Sequence, residues 1–296
     1  MWNTLVAFVK LGRPQFLVGG FINYGLGAAV ARLCGHAIDV RRYVLGQAAV
    51  TAFQLMTHYA NDYFDLDADR ANTTPTRFSG GSRVLPGGQL PHGIALVAAL
   101  VLAAIGVVLI GAIGEHVPLL LAMGVLAWAY SAPPLRLCAR GLGELDTALV
   151  VTGLVPWLGF AMQAPGLRGA GVLLAAIAPA MLLQFAMLLA IEFPDAAGDA
   201  ATGKRTLVVR LGAAPAAKLY AAATAAAYLW LPIAWRLGVP ALATLFAALP
   251  LPVAAWRIAR IADHRDHDAH ERMTFFAVAQ VVAVPALVLA GIALSQ

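Results

Sequence analysis

Apolar residues fall in long blocks along this chain, and polar residues gather in short clusters between them. The blocks at 15–33, 44–64, 92–113, 117–132, 143–164, 170–193, 214–235, 239–257 and 273–294 are separated by Gly, Pro and charged residues. Most approach the roughly 20 residues a helix needs to cross a hydrocarbon layer about 30 Å thick. Lipid offers the backbone no hydrogen-bond partner, so segments of this length span as helices. The pattern predicts an all-α, polytopic membrane protein with nine transmembrane helices. No Ser-rich or charged linker interrupts it, so residues 1–296 are expected to form one domain.

Composition agrees: 61% of residues are hydrophobic and 12% charged, whereas a soluble domain is about a quarter charged. A soluble α/β protein is excluded. The opening stretch, MWNTLVAFVKLGRPQF, has no short apolar core followed by a small-residue cleavage site, so no removable secretory signal is expected. Lys10 and Arg13 read instead as anchors ahead of the first span.

A net charge of +5 would suit a nucleic-acid partner, but its distribution assigns another cause. With the N-terminus in the cytoplasm, 15 of the 20 basic residues fall on the cytoplasmic side, Arg257, Arg260 and Arg265 among them. Only Arg32, Arg41, Arg42, Arg168 and Arg236 fall outside. The C-terminus is then on the opposite side, and the polar loops after spans two, four, six and eight are cytoplasmic, so chemistry is expected on that face. Cys34 and Cys138 lie on opposite faces in this topology, and no disulfide is expected. Neither a nucleic acid nor an obligate protein partner is called for.

Two acidic clusters stand out. Asn61, Asp65 and Asp69 are spaced by four, drifting only about 80° around a helix over about 12 Å, so they form one stripe continuing span two out of the membrane. Asp62 and Asp67 point elsewhere, to water or neighbouring loops. After span six, Asp195 and Asp199 repeat the spacing with Glu192 just before, and Pro194 predicts a break near Phe193 and a fresh helix beyond it. Clustered carboxylates repel one another unless cations neutralise them. Two clusters on one face point to a pair of cation sites, and Mg²⁺ fits best because it uses a few carboxylates plus substrate phosphates. The His and Cys ligands of zinc are missing from both clusters.

At these residues the chain resembles a family. NDYFDLDAD and DAAGDAATGKRTL match the two acidic motifs of the UbiA superfamily of intramembrane prenyltransferases. GGSRVLPGG (80–88), YSAPPLRLCARGLGEL (130–145) and GKRTLVVRLG (203–212) look most like the branch that prenylates 1,4-dihydroxy-2-naphthoate on the way to menaquinone. One departure is Ile191, where many relatives carry a polar residue; Glu192 is the substitute at hand.

The resemblance implies a helical bundle around a central cavity open to the cytoplasmic side and to lipid. A polyprenyl diphosphate would sit between the clusters, bridged by two Mg²⁺ ions on Asn61, Asp65, Asp69, Asp195 and Asp199. Diphosphate clamps are sought among Arg77, Arg136, Arg140, Lys204 and Arg205. Arg83, within a glycine-rich lid, would contact diphosphate or the acceptor's carboxylate. Tyr63, Tyr130 and Tyr59 are candidate aromatics facing an allylic cation, while His58 reads as a packing residue. The quinone-pathway likeness favours a bacterial plasma membrane, with membrane lipids around the bundle. Acceptors such as 4-hydroxybenzoate, homogentisate, haem or chlorophyll precursors stay open within the superfamily. A cation-coupled transporter is the rival class, and it predicts carboxylates near span midpoints and inverted repeats.

Overall fold

The computed structural model describes residues 2–261 and 267–296, and every regular element among them is helical. An amphipathic helix α1 (Trp2–Leu11) precedes α2 (Leu17–Leu33). The long α3 (Val40–Phe64) hands over to a short α4 (Leu66–Ala71). Next come α5 (Gly93–Ile113) and α6 (Val117–Ala129). A single rod follows, made of α7 (Gly143–Leu149), a π turn (Val150–Leu154) and α8 (Val155–Ala161). Then α9 (Ala170–Glu192), α10 (Ala196–Ala201), α11 (Leu207–Leu211), α12 (Ala213–Leu229) and α13 (Leu231–Arg236) lead to α14 (Ala241–Ala248), α15 (Leu251–Arg260) and α16 (His267–Ala293).

Among the described residues, six helical stretches are long and apolar enough to cross a membrane: Pro14–Leu33, Gly93–Ile113, Gly143–Ala161, Ala170–Glu192, Ala241–Arg260 and His267–Ala293. The protein is an integral membrane protein. The other three expected spans are helical but fall short for separate reasons. α3 is long but carries polar residues along its length, α6 has 13 residues, and α12 stops at Trp230 ahead of Pro232.

Small residues let these helices touch. Gly27 of α2 faces the Pro156 carbonyl and Gly159 of α8 faces the Tyr24 carbonyl, so a side chain at either position would enter the opposite backbone. Within the α7–α8 rod, Pro156 has no N–H to offer the preceding turn, and the π turn ahead of it takes up the mismatch. Two apolar clusters result. One joins α9, α12, α14 and α16 through Leu183, Leu189, Tyr220 and Val284. The other joins α1, α3, α5 and α6 through Leu11, Phe53, Met56 and Met123.

Several sequence expectations change. The stripe from Asn61 to Asp69 is not one helix: α3 ends at Phe64, and Asp65 occupies the junction with φ −100° and ψ 7°. Arg13 is not a lipid anchor; its side chain is 16% exposed and turned inward. Arg257, counted among the basic residues of the cytoplasmic side, is buried in α15 with its guanidinium 5.0 Å from the Tyr220 ring centre. Arg265 lies outside the described residues. The expected break near Phe193 does occur, with α9 ending one residue earlier.

Candidate active site

The two acidic motifs meet. The α4 end and α10 pack so closely that a Cβ on Gly198 would come within 3.0 Å of the Asn72 backbone nitrogen. Asn72 then donates its side-chain amide to Asp195 Oδ1 at 2.6 Å, and Thr74 donates to the Pro194 carbonyl at 3.2 Å. The glycine-rich segment closes from above, with Gly80 N–H donating to Asp195 Oδ2 at 3.0 Å. Both oxygens of Asp195 are thereby engaged.

Lys204 ties the halves together, its Nζ 2.9 Å from Asp65 Oδ2 and 3.5 Å from Asp199 Oδ1. The residue reaches this point because its own backbone N–H donates to the Asp199 carbonyl at 2.9 Å, ending α10 in a tight turn at Gly203. Asn61 donates to Asp65 Oδ2 at 2.8 Å and to Ser131 Oγ at 3.1 Å. Arg136 approaches Asp65 Oδ1 at 3.9 Å. One oxygen each of Asp65, Asp69 and Asp199 is buried without a hydrogen bond.

Burial governs the electrostatics. It pushes Asp69 up to about 7, against the pull of Arg13 and with the help of Asp65. It pushes Asp199 up to about 6 against the pull of Lys204. Asp195 is raised by burial as well, despite its bonds to the Gly80 N–H and Asn72. Burial works against the Lys204 ammonium too, yet Asp65 and its neighbours hold its pKa well above the ordinary lysine value.

Two residues that sequence reasoning did not place at the site belong to it. Arg13 donates to Asn61 Oδ1 at 3.1 Å and pairs with Asp62. Asp62, only 1% exposed, also accepts from the Ser82 hydroxyl and, at 3.3 Å, from the Ser82 N–H. The pair therefore joins the N-terminal segment, α3 and the glycine-rich cover. Arg-Pro ahead of the first span was the visible sign, but nothing local distinguished it from an anchor.

Other expected residues take separate positions around or away from the site. Tyr63 stacks on His92 at 4.2 Å, away from the cavity, because two residues beyond Asn61 is about 200° around the helix. Tyr59 donates to the Phe8 carbonyl on the α1 side. Arg77 is exposed over the Phe78 ring, Arg140 caps the Pro134 carbonyl at 2.8 Å, and Arg205 is exposed with its backbone bonded to Ala139. Arg83 spends its guanidinium on the Asp69 backbone carbonyl. Glu192 is buried beside Glu144 and within electrostatic reach of Lys204 and Asp199, with one orphan oxygen. His58 packs against the N-terminal segment, Nδ1 2.8 Å from the Gly12 carbonyl, and also lines the cavity beneath the site.

Beneath the clusters a cavity of about 480 Å³ opens among α2, α3, α6, the α7–α8 rod, α9 and α16. Asn61, Arg13 and Tyr130 stand at its polar end, and Val50, Phe53, Met123, Val155 and Val281 line its depth. Among the described residues no three His, Cys, Asp or Glu side chains already surround one point as a metal cage would. Lys204 supplies positive charge between Asp65 and Asp199 instead. The donor set suits a hard cation through carboxylate oxygens that lack hydrogen bonds, beside the Asn61 amide oxygen, with the buried Cys138 thiol 4.0 Å from Asp65 Oδ2 as a soft neighbour.

Buried carboxylates gathered at helix ends beside a largely apolar cavity are the arrangement of a membrane enzyme. The chain belongs to the UbiA prenyltransferase family, which it matches over residues 24–280. It is 31% identical to the 1,4-dihydroxy-2-naphthoate octaprenyltransferase of Mycobacterium tuberculosis over 225 residues, covering 73% of this chain and 74% of that one. It is 24% identical to the Bacillus subtilis protein of the same name, covering 83% and 79%. A UbiA homologue from Archaeoglobus fulgidus, solved with GPP and Mg²⁺, shares the fold at 16% identity, with a TM-score of 0.66 over 95% of this chain and 99% of that one.

Proposed function

We propose that this protein transfers a polyprenyl group from its diphosphate to 1,4-dihydroxy-2-naphthoate, with Mg²⁺ bound at the two acidic motifs. The observation that carries the reading is the meeting of Asp65 and Asp199 on Lys204, joined through Asn61, which bonds Asp65, to the wall of an apolar cavity. The names of the two bacterial relatives support the acceptor, and the GPP and Mg²⁺ bound by the archaeal homologue support the donor and the metal.

Asn61, Asp65, Asp69 and Asp199 would hold two ions directly or through water, and Asp195, with both oxygens bonded, would hold the motifs in register. Magnesium, when bound, would neutralise charge on the departing diphosphate. Lys204 and Arg136 add cationic hydrogen bonds to the same oxygens. Arg83 and the Arg13–Asp62–Ser82 link fasten the glycine-rich cover over the site, which keeps water from the allylic cation. Tyr130, at the cavity wall, presents its ring to that cation. The prenyl tail occupies the apolar depth and continues toward lipid.

The topology follows the charge pattern: nine spans in one domain, N-terminus and active site on the cytoplasmic side of a bacterial plasma membrane. The test is incubation of the purified protein with Mg²⁺, a labelled polyprenyl diphosphate and a panel of aromatic acids. Labelled product with dihydroxynaphthoate is expected. No product with any aromatic acid overturns the function, and product only with another acid overturns the acceptor.

A further inference from the structure

A prenyl tail is pure hydrocarbon, yet the cavity wall is not. Asp146 of α7, Asn23 of α2 and Gln54 of α3 line it from three helices, each with a buried side-chain oxygen that accepts no hydrogen bond. Asp146 is 7% exposed and Asn23 2%. The two amides are oriented by their donor ends: Asn23 Nδ2 donates to the Gly19 carbonyl at 2.9 Å and Gln54 Nε2 to the Phe16 carbonyl at 3.0 Å. In both, the nitrogen is taken and the oxygen is the free atom. Asp146 forms no ion pair with any described residue, although a buried carboxylate inside a membrane bundle is costly without one.

A hydrocarbon laid against these three oxygens would leave all of them unpaired. A ligand with O–H groups would satisfy them. Position agrees with chemistry, because the Tyr130 ring packs against Gly143, and Asp146 lies one turn further along the same side of α7. Asp146 therefore stands beside the ring proposed to face the cation, and Asn23 and Gln54 line the same cavity.

We infer that Asp146, with Asn23 and Gln54, forms the subsite that reads the hydroxyl groups of the aromatic acceptor. The inference rests on the prenyl-transfer reading and assigns the acceptor a chemical class: a hydroxylated aromatic that donates hydrogen bonds. Asp146 is a specificity residue here, accepting an acceptor O–H and fixing the ring's orientation.

The test compares wild type, Asp146→Asn and Asp146→Ala with dihydroxynaphthoate and its O-methyl ethers. In wild type, methylation of the hydroxyl that Asp146 accepts should raise the acceptor KM at least tenfold, equivalent to about 1.4 kcal/mol. In Asp146→Ala that discrimination should vanish, because hydroxyl and ether now bind alike, while KM for the prenyl diphosphate stays within twofold. Asp146→Asn preserves the shape and should give an intermediate ratio. A folded variant with unaltered prenyl diphosphate KM and undiminished preference for the free hydroxyl overturns the inference.

Failure of the underlying reading looks different, since wild type would then transfer no prenyl group to any acceptor. The subsite is judged in that event by equilibrium fluorescence titration of dihydroxynaphthoate. At least tenfold weaker binding by Asp146→Ala supports the subsite, and equal binding overturns it.

Discussion

Replacing Lys204 by Met keeps the length of the stem and removes the charge that joins the two motifs. At an effective dielectric constant of about 20, unit charges near 3 Å apart attract by about 5 kcal/mol before desolvation is subtracted. Lys204 is only 15% exposed, and both partners are more deeply buried. Removing one partner of such a buried set costs about 3 kcal/mol, since Asp65 and Asp199 are left facing each other uncompensated. For a chain of this size about 2 °C of Tm accompanies each kcal/mol, so the melting temperature in detergent with EDTA should fall by about 6 °C. Lys204 also competes with a cation for the same oxygens. Millimolar Mg²⁺ should therefore raise Tm more in the variant than in wild type, while turnover drops because the diphosphate loses a donor. Equal melting temperatures in EDTA, or equal Mg²⁺ stabilisation of both proteins, would refute the picture of an ammonium standing between two cation-seeking carboxylates.

Asp65→Asn should reduce turnover at least a hundredfold with the protein still folded, because it removes charge from an orphaned oxygen; steady-state prenyl transfer at saturating Mg²⁺ checks this. Asp195→Asn should also reduce turnover greatly, and in addition weaken Mg²⁺ retention, through loss of the clamp to Asn72 and Gly80. Gly198→Val should separate the motifs, since even its Cβ would meet the Asn72 backbone at 3.0 Å; a Tm drop of several degrees with lost activity is expected. Asp69, raised to about 7, and Asp199, raised to about 6, must give up protons when a cation binds. Mg²⁺ affinity should thus rise from pH 5 to pH 8 with proton release, read by calorimetry in two buffers of different ionisation enthalpy; a flat profile would remove those carboxylates from the site.

What could be read in advance was what repeats along one helix. Spacing by four placed Asn61 and Asp65 together, and Pro194 marked the break that frees Asp195 and Asp199 to turn toward them. What could not be read was which loop side chains cross between helices. Arg136 reaches Asp65 while Arg140, four residues on, folds back on its own loop, and no local signal separates them. Lys204 and Arg205 were equivalent candidates until the turn after α10 sent one inward and the other to solvent. Arg13 and Asn72 are tertiary partners whose importance depends on what α3 and α10 bring opposite them.

The shortfall in apolar spans carries information of its own. α3 has 25 residues, long enough to cross, yet it lacks the apolarity of the six clear spans. Four of its polar residues, Gln54, Thr57, His58 and Asn61, follow the three-and-four spacing of a single helix face, and all four line the cavity. Part of what weakens its membrane signal therefore builds the site's wall, and this face leads to Asp65 at the junction with α4. A lipid-facing helix could not carry such a stripe without leaving each group unpaired in hydrocarbon. In a polytopic chain, a span-length helix with a polar face this continuous turns that face to a cavity, and here the face leads to the carboxylate that Lys204 bridges to the second motif.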